Sequence, residues 1–166
     1  MLKPHTQESS ALPFGQTSRL FQPAPRFKRH VSLDARDSAF VSMLPAFRES
    51  GGLATGEEIG ARFARRQHDG ISNLARRVAA DQLISFHWHA NLWLPMFQFD
   101  HETMEMTRGA HLVFGELSRF MDGWEMTHWF ATPHASLCGS MPVAMLDLDQ
   151  GATLNAARLD RFIALG

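Results

Sequence analysis

The chain has 166 residues, 45% apolar and 20% charged, with a formal net charge of −1. This is globular composition at about one domain's length, enough to bury roughly 68–70% of the unfolded surface without a metal or cross-link. No apolar run approaches the ~20 residues of a membrane-spanning helix. The single cysteine, Cys138, excludes an intrachain disulfide and points to a reducing, cytoplasmic setting.

Residues 1–33 carry five basic side chains against one acid (net +4), residues 34–99 carry seven of each, and residues 100–166 carry nine acids against four arginines (net −5). An acidic C-terminal part is a poor surface for phosphates and a suitable one for a basic protein partner. Residues 1–35, with Pro4, Pro13, Pro23 and Pro25, show no apolar period. They read as a disordered basic tail, because so little apolar surface cannot offset the ordering entropy. The tail lacks the apolar stretch of a secretory signal; a basic arm touching nucleic acid is the sharper alternative.

Residues 36–99 read as a helix-turn-helix-like segment followed by a β-hairpin. Phe40, Leu44 and Phe47 recur at helical spacing, with Pro45 ending that helix near Leu44. Gly51-Gly52 stops the chain. Thr55 and Glu58 form a capping box opening a helix buried through Ile59 and Phe63. His68, Asp69 and Gly70 make a turn. The next helix is expected to bury Ile71, Leu74 and Val78 and to point Arg76 and Arg77 outwards. Ile84, Phe86 and Trp88 then alternate with Ser85 and His87 as a strand does, His89-Ala90-Asn91 is a turn, and Trp93 to Phe99 returns as a second strand. Pro95 makes that strand an edge or turns its nitrogen outwards. Helix, turn, helix and hairpin is the order of a winged helix-turn-helix, in which Ser72, Asn73, Arg76 and Arg77 would face operator DNA. The plainer reading is a small scaffold with a solvated basic face.

Residues 100–166 read as a compact helical unit, since helices joined by short loops pack as neighbours. Val113, Leu117, Phe120 and Met121 define one helix. Asp122 caps the next, with Glu125 completing a capping box, and Met126, Trp129 and Phe130 lie on its apolar face until Pro133 ends it. Gly139 supplies a positive-φ bend, Pro142 opens a short helix carrying Val143 and Leu146, and Asp149 starts a last helix buried through Ala152, Ala156, Leu159, Phe162 and Ile163. The expected fold is mainly α with a small β-hairpin.

The run from Trp129-Phe130 through Thr132-Pro133-His134, Leu137-Cys138-Gly139, Pro142 and Leu146 resembles the toxin-binding domain of Xre/MbcA/ParS-type antitoxins. His134 stands where that pattern has Asn, and Cys138 to Ser140 lack its commoner Gly-Gly or Gly-Arg. Leu94-Pro95-Met96-Phe97-Gln98-Phe99 is similar to a Tyr-Pro-x-Phe-Gln-Phe segment upstream in some relatives. The resemblance implies a non-catalytic protein that binds and neutralises a cognate toxin enzyme, often a RES-type enzyme acting on NAD, and represses its own operon through a helix-turn-helix, as a homo-oligomer or hetero-complex. It implies partner binding around Trp129, Phe130, Leu137, Pro142 and Leu146, and makes Arg158, Arg161 and Gly166 candidates for occluding the toxin's active site. For the first five, building the core and its turn is the simpler role.

Enzyme readings are weaker. His87 and His89 share one side of a strand and could chelate a metal, but no third ligand recurs at a fixed offset. Cys138 with His134 suggests a nucleophile and base without a third, orienting group. Gly51-Gly52 with Gly56 lacks the lysine of a phosphate-binding loop. No cofactor, metal or catalytic residue is expected.

Overall fold

A computed structural model describes residues 33–65 and 70–166; the expected tail up to residue 32 and the His68-Asp69 turn lie outside them, while residues 33–35, expected in the tail, open the first helix. Helix α1 (Leu33–Met43) passes into a 3₁₀ segment, Leu44–Ser50, with Pro45 in its first turn, where a missing N–H costs nothing. Met43 is therefore the buried residue at the junction, and Leu44 is exposed. Gly51 closes the segment at φ 94, and a β-carbon there would stand 2.9 Å from Cβ of Met96. Strand β1 (Leu53–Thr55) and helices α2 (Gly56–Ala64) and α3 (Gly70–Ala79) follow, then strands β2 (Phe86–Trp88) and β3 (Asn91–Pro95). Thr55 caps α2 through the expected reciprocal box, its hydroxyl accepting from the Glu58 N–H and its N–H donating to the Glu58 carboxylate. The Thr55 N–H first, and its hydroxyl second, donate to the Glu58 carboxylate and hold it below its ordinary value of 4.5.

The sheet is antiparallel in the order β1-β3-β2, pairing Ala54 with Leu94 on one side and His87 with Leu92 on the other. The sequence pattern shows the hairpin but not β1. The returning strand ends at Pro95 rather than Phe99, because Met96–Gln98 turn into a 3₁₀ segment. β3 is central, not an edge; Pro95 is tolerated because β2 pairs only as far as Trp93, leaving β1 as the one neighbour there. The loop is His89-Ala90, with His89 at φ 50 and its ring 3.4 Å from Asp37. Asn91 belongs to the strand.

The sheet packs against a core on each face. Trp93 and Leu53 look into a core shared with α1 (Phe40), the 3₁₀ segment after it (Phe47) and the C-terminal helices (Val113, Phe130, Leu146), while Leu94, Leu92 and Ala54 look into a second core with α2 and α3 (Ile59, Phe63, Leu74). Buried Gln98 stands in for a missing strand: its side chain accepts from the Ile84 N–H at 2.8 Å and donates to the Ile84 and Pro95 carbonyls at 2.8 and 3.0 Å. Beyond it, Asp100 accepts the Glu102 and Thr103 N–H groups in a tight turn. These bonds, Thr103's first, lower its pKa.

Four helices complete the chain: α4 (Arg108–Leu117), α5 (Gly123–Ala131), α6 (Pro142–Leu148) and α7 (Gln150–Leu165). α4 stops at Leu117, so Phe120 and Met121 lie in the following turn. The Asp122–Glu125 capping box forms as expected. Gly123 is required there, since a β-carbon would sit 1.7 Å from the Ser85 carbonyl oxygen. The whole is mainly helical with a small antiparallel sheet. Among the described residues no helix is long and apolar enough to cross a membrane.

Two burial expectations are overturned. Ile71 is 62% exposed, since Leu74 alone of the predicted stripe is fully inside, with Val78 at its margin. In α7 the inward stripe is Thr153, Ala156 and Ala157, small residues that let the helix lie close to α4. That stripe continues into Asp160 and Arg161, so Leu159, Phe162 and Ile163 rotate outwards, exposed by 45%, 70% and 70%.

Candidate functional site

The segment between α5 and α6 is built by its breakers. Thr132 and Pro133 end α5, residues 135–137 make one 3₁₀ turn, and Cys138 and Gly139 reverse the chain at φ 55 and 81. His134 organises this turn: its Nδ1 accepts the Ser136 N–H at 3.2 Å and lies 2.8 Å from the Ser136 hydroxyl. Accepting a backbone N–H leaves Nδ1 without a proton, so the proton sits on Nε2, which donates to Oδ2 of Asp160 at 3.1 Å. Trp129 Nε1 donates to the same oxygen at 2.6 Å. One carboxylate on α7 thus ties down both the end of α5 and the turn after it.

Serine, histidine and aspartate in series carry the distances of a catalytic triad, but the surroundings do not fit acyl transfer. The turn's amides are occupied: Leu137 and Gly139 donate to the His134 carbonyl, Cys138 to that of Ala135 and Ser140 to that of Leu137. None of these four amides is left to receive an oxyanion. Cys138 is a free thiol and exposed. This network is a staple that fixes α7 against α5.

The partner-binding candidates divide accordingly. Trp129, Phe130, Leu137, Pro142 and Leu146 are buried and form the core and turn. Arg158 donates to Oε1 of Glu116 at 3.1 Å and Arg161 to its other oxygen, so one α4 carboxylate holds both arginines. Gly166, exposed at φ 83, closes α7 through its N–H to Phe162. Beside these residues runs the ridge of Leu159, Phe162 and Ile163, with Leu165 53% exposed at its end. The sequence pattern missed Asp160 and Glu116 as positioning residues. The signal for Asp160 was its place three and four residues beyond Ala157 and Ala156, on the inward stripe.

On α3, Ser72 and Arg76 are exposed, whereas Arg77 reaches Glu105 at 3.3 Å and Asn73 is half-buried and engaged. Arg62, Arg65 and His101 line a hollow of about 250 Å³ floored by Met104. His87 is exposed on β2 and His89 faces Asp37; among the described residues no three His, Cys, Asp or Glu side chains converge as metal ligands would. In comparisons with known proteins, no family model, no curated protein and no solved structure matches the chain.

Proposed function

We propose that the chain is a non-catalytic, antitoxin-like regulator of the cytoplasm that binds and neutralises a partner toxin enzyme, of the NAD-consuming RES type that the resemblance implies. The observation that carries this reading is the ridge on α7. Leu159, Phe162 and Ile163 repeat at i, i+3, i+4, the spacing by which an amphipathic helix anchors in a groove. Contiguous apolar surface left in water on a stable chain marks an interaction site. The Asp160 staple and the Glu116 clamp hold the ridge rigid, which lowers the ordering cost of docking. The acidic balance of residues 100–166 suits a basic partner.

Co-expression with the product of the neighbouring gene tests it. A stable complex and relief of toxicity are expected, both lost in Phe162→Asp with helicity intact by circular dichroism. Absence of any complex and of any relief would reject the reading.

A second reading, a winged helix-turn-helix reading operator DNA, is favoured by the sheet order β1-β3-β2 around α2 and α3. It predicts promoter binding that falls steeply with salt and weakens in Arg76→Ala. Arg77 is a poorer reporter because Glu105 engages it.

A further inference from the structure

Among the described residues two apolar surfaces are left without a partner, one raised and one hollow. The raised one is the α7 ridge. The hollow one is a groove of about 470 Å³ between α3 and the hairpin turn, lined by Ile71, Leu74, Val78, Ala90 and Leu92. Glu57 is the one charged side chain lining it among the described residues. In both places the amphipathic period of the sequence calls for burial, yet the single chain leaves Ile71 at 62% and Phe162 and Ile163 at 70% exposure.

We propose that the two surfaces cover each other between copies of the chain: the α7 ridge of one copy lies in the α3–hairpin groove of a second. The groove is within the range of about 300–1,000 Å³ that encloses a ligand of several side chains' bulk, and a helix stripe at i, i+3, i+4 is the shape such a groove receives. The charges agree. Arg158, whose Nε is held by Glu116 but whose side chain is still 53% exposed one turn before Phe162, presents a cation to Glu57, and no acid follows Asp160 along α7. A ridge-on-ridge pair would leave the groove empty and Ile71 in water. Reciprocal exchange, each ridge in the other's groove, closes as a two-fold pair without propagating into filaments. The pairing deepens the antitoxin reading, on which one consequence rests: the same ridge meets the toxin, so the pair is a storage form that toxin competes open.

The test uses the full chain, its mass followed by light scattering and sedimentation. The wild type is expected to be a dimer. Ile71→Asp, which spoils the groove, and Phe162→Asp, which spoils the ridge, each weaken self-association by more than about tenfold, or ~1.4 kcal/mol. Both changes are at exposed positions, so melting confirms that the fold persists. Mixing the two variants restores a one-to-one pair, because one supplies an intact ridge and the other an intact groove. A monomeric wild type, a dimer indifferent to both substitutions, or a mixture that stays monomeric would overturn the pairing. Toxin capture is measured separately on the wild type: a monomer that still captures toxin overturns this pairing alone, and a dimer that captures none overturns the antitoxin reading alone.

Discussion

Gln98→Met removes a buried amide while keeping the side chain's length. Gln98 is fully buried, and its three hydrogen bonds satisfy the Ile84 N–H, the Ile84 carbonyl and the Pro95 carbonyl. Methionine refills the volume, so the cavity contribution is small. What remains is the cost of leaving one donor and two acceptors unpaired where water does not reach. Each such group costs about 1–3 kcal/mol, and carbonyls with a second lone pair lie at the low end, giving about 4 kcal/mol in all. That is a large part of the ~5–15 kcal/mol that holds a domain together, and for a chain of this size it lowers Tm by roughly 8–16 °C. Urea unfolding followed by far-ultraviolet circular dichroism measures it. Gln98→Glu is the control. Its carboxylate still accepts from the Ile84 N–H but turns negative charge on two carbonyls, so it is destabilised at neutral pH and partly recovers on acidification, when the protonated acid donates again. A loss below about 1 kcal/mol for Gln98→Met would refute the idea that this amide replaces a strand.

Gly123→Ala should be among the most damaging small substitutions, since its methyl would overlap the Ser85 carbonyl. A loss of about 1–3 kcal/mol or more is expected, read by melting and by the fluorescence of neighbouring Trp124; an unchanged Tm would show that α5 can shift freely. Asp160→Ala strips the acceptor from Trp129 and His134 and should cost about 1–3 kcal/mol, with a change in indole fluorescence. Indifference in both would remove the staple. The Glu58 carboxyl has its pKa lowered in the folded chain by the Thr55 cap, so its contribution is complete above its ordinary value of 4.5 and fades as pH falls through the lower folded value. The stability gap between wild type and Glu58→Gln should therefore narrow on acidification below the ordinary value, as measured by urea melts in a pH series. A gap independent of pH would contradict the box.

The features legible in the sequence are those decided within one turn of the chain. Thr55 with Glu58, Asp122 with Glu125, Pro45, Pro142 and Gly139 each act on neighbours at most four residues away, and each forms as the pattern says. β1 escaped because three residues carry no period, and its partner β3 lies about forty residues on. The Gln98 clamp escaped for the same reason, since Ile84 is fourteen residues distant. In α7 the apolar residues are real but split between two faces. Ala156 belongs to both possible stripes, and the short side chains at Thr153, Ala156 and Ala157, which let the backbone approach α4, decided which turned inward. The resulting display of Phe162 and Ile163 is a tertiary outcome that periodicity alone could not fix.

Back-to-back residues of β3 serve two cores at once: Trp93 belongs to the one under α1 and the C-terminal helices, Leu94 to the one under α2 and α3. The sheet is thus a party wall. Neither side has its own, and the tilted ring contact of Phe97 with Phe130, centroids 4.4 Å apart, runs across the border at residue 100. The C-terminal helices are therefore no portable cartridge. Excised at that border, they would lose Phe47, Phe86 and Phe97 from their inner lining and melt, whereas the intact polypeptide should unfold in a single calorimetric endotherm.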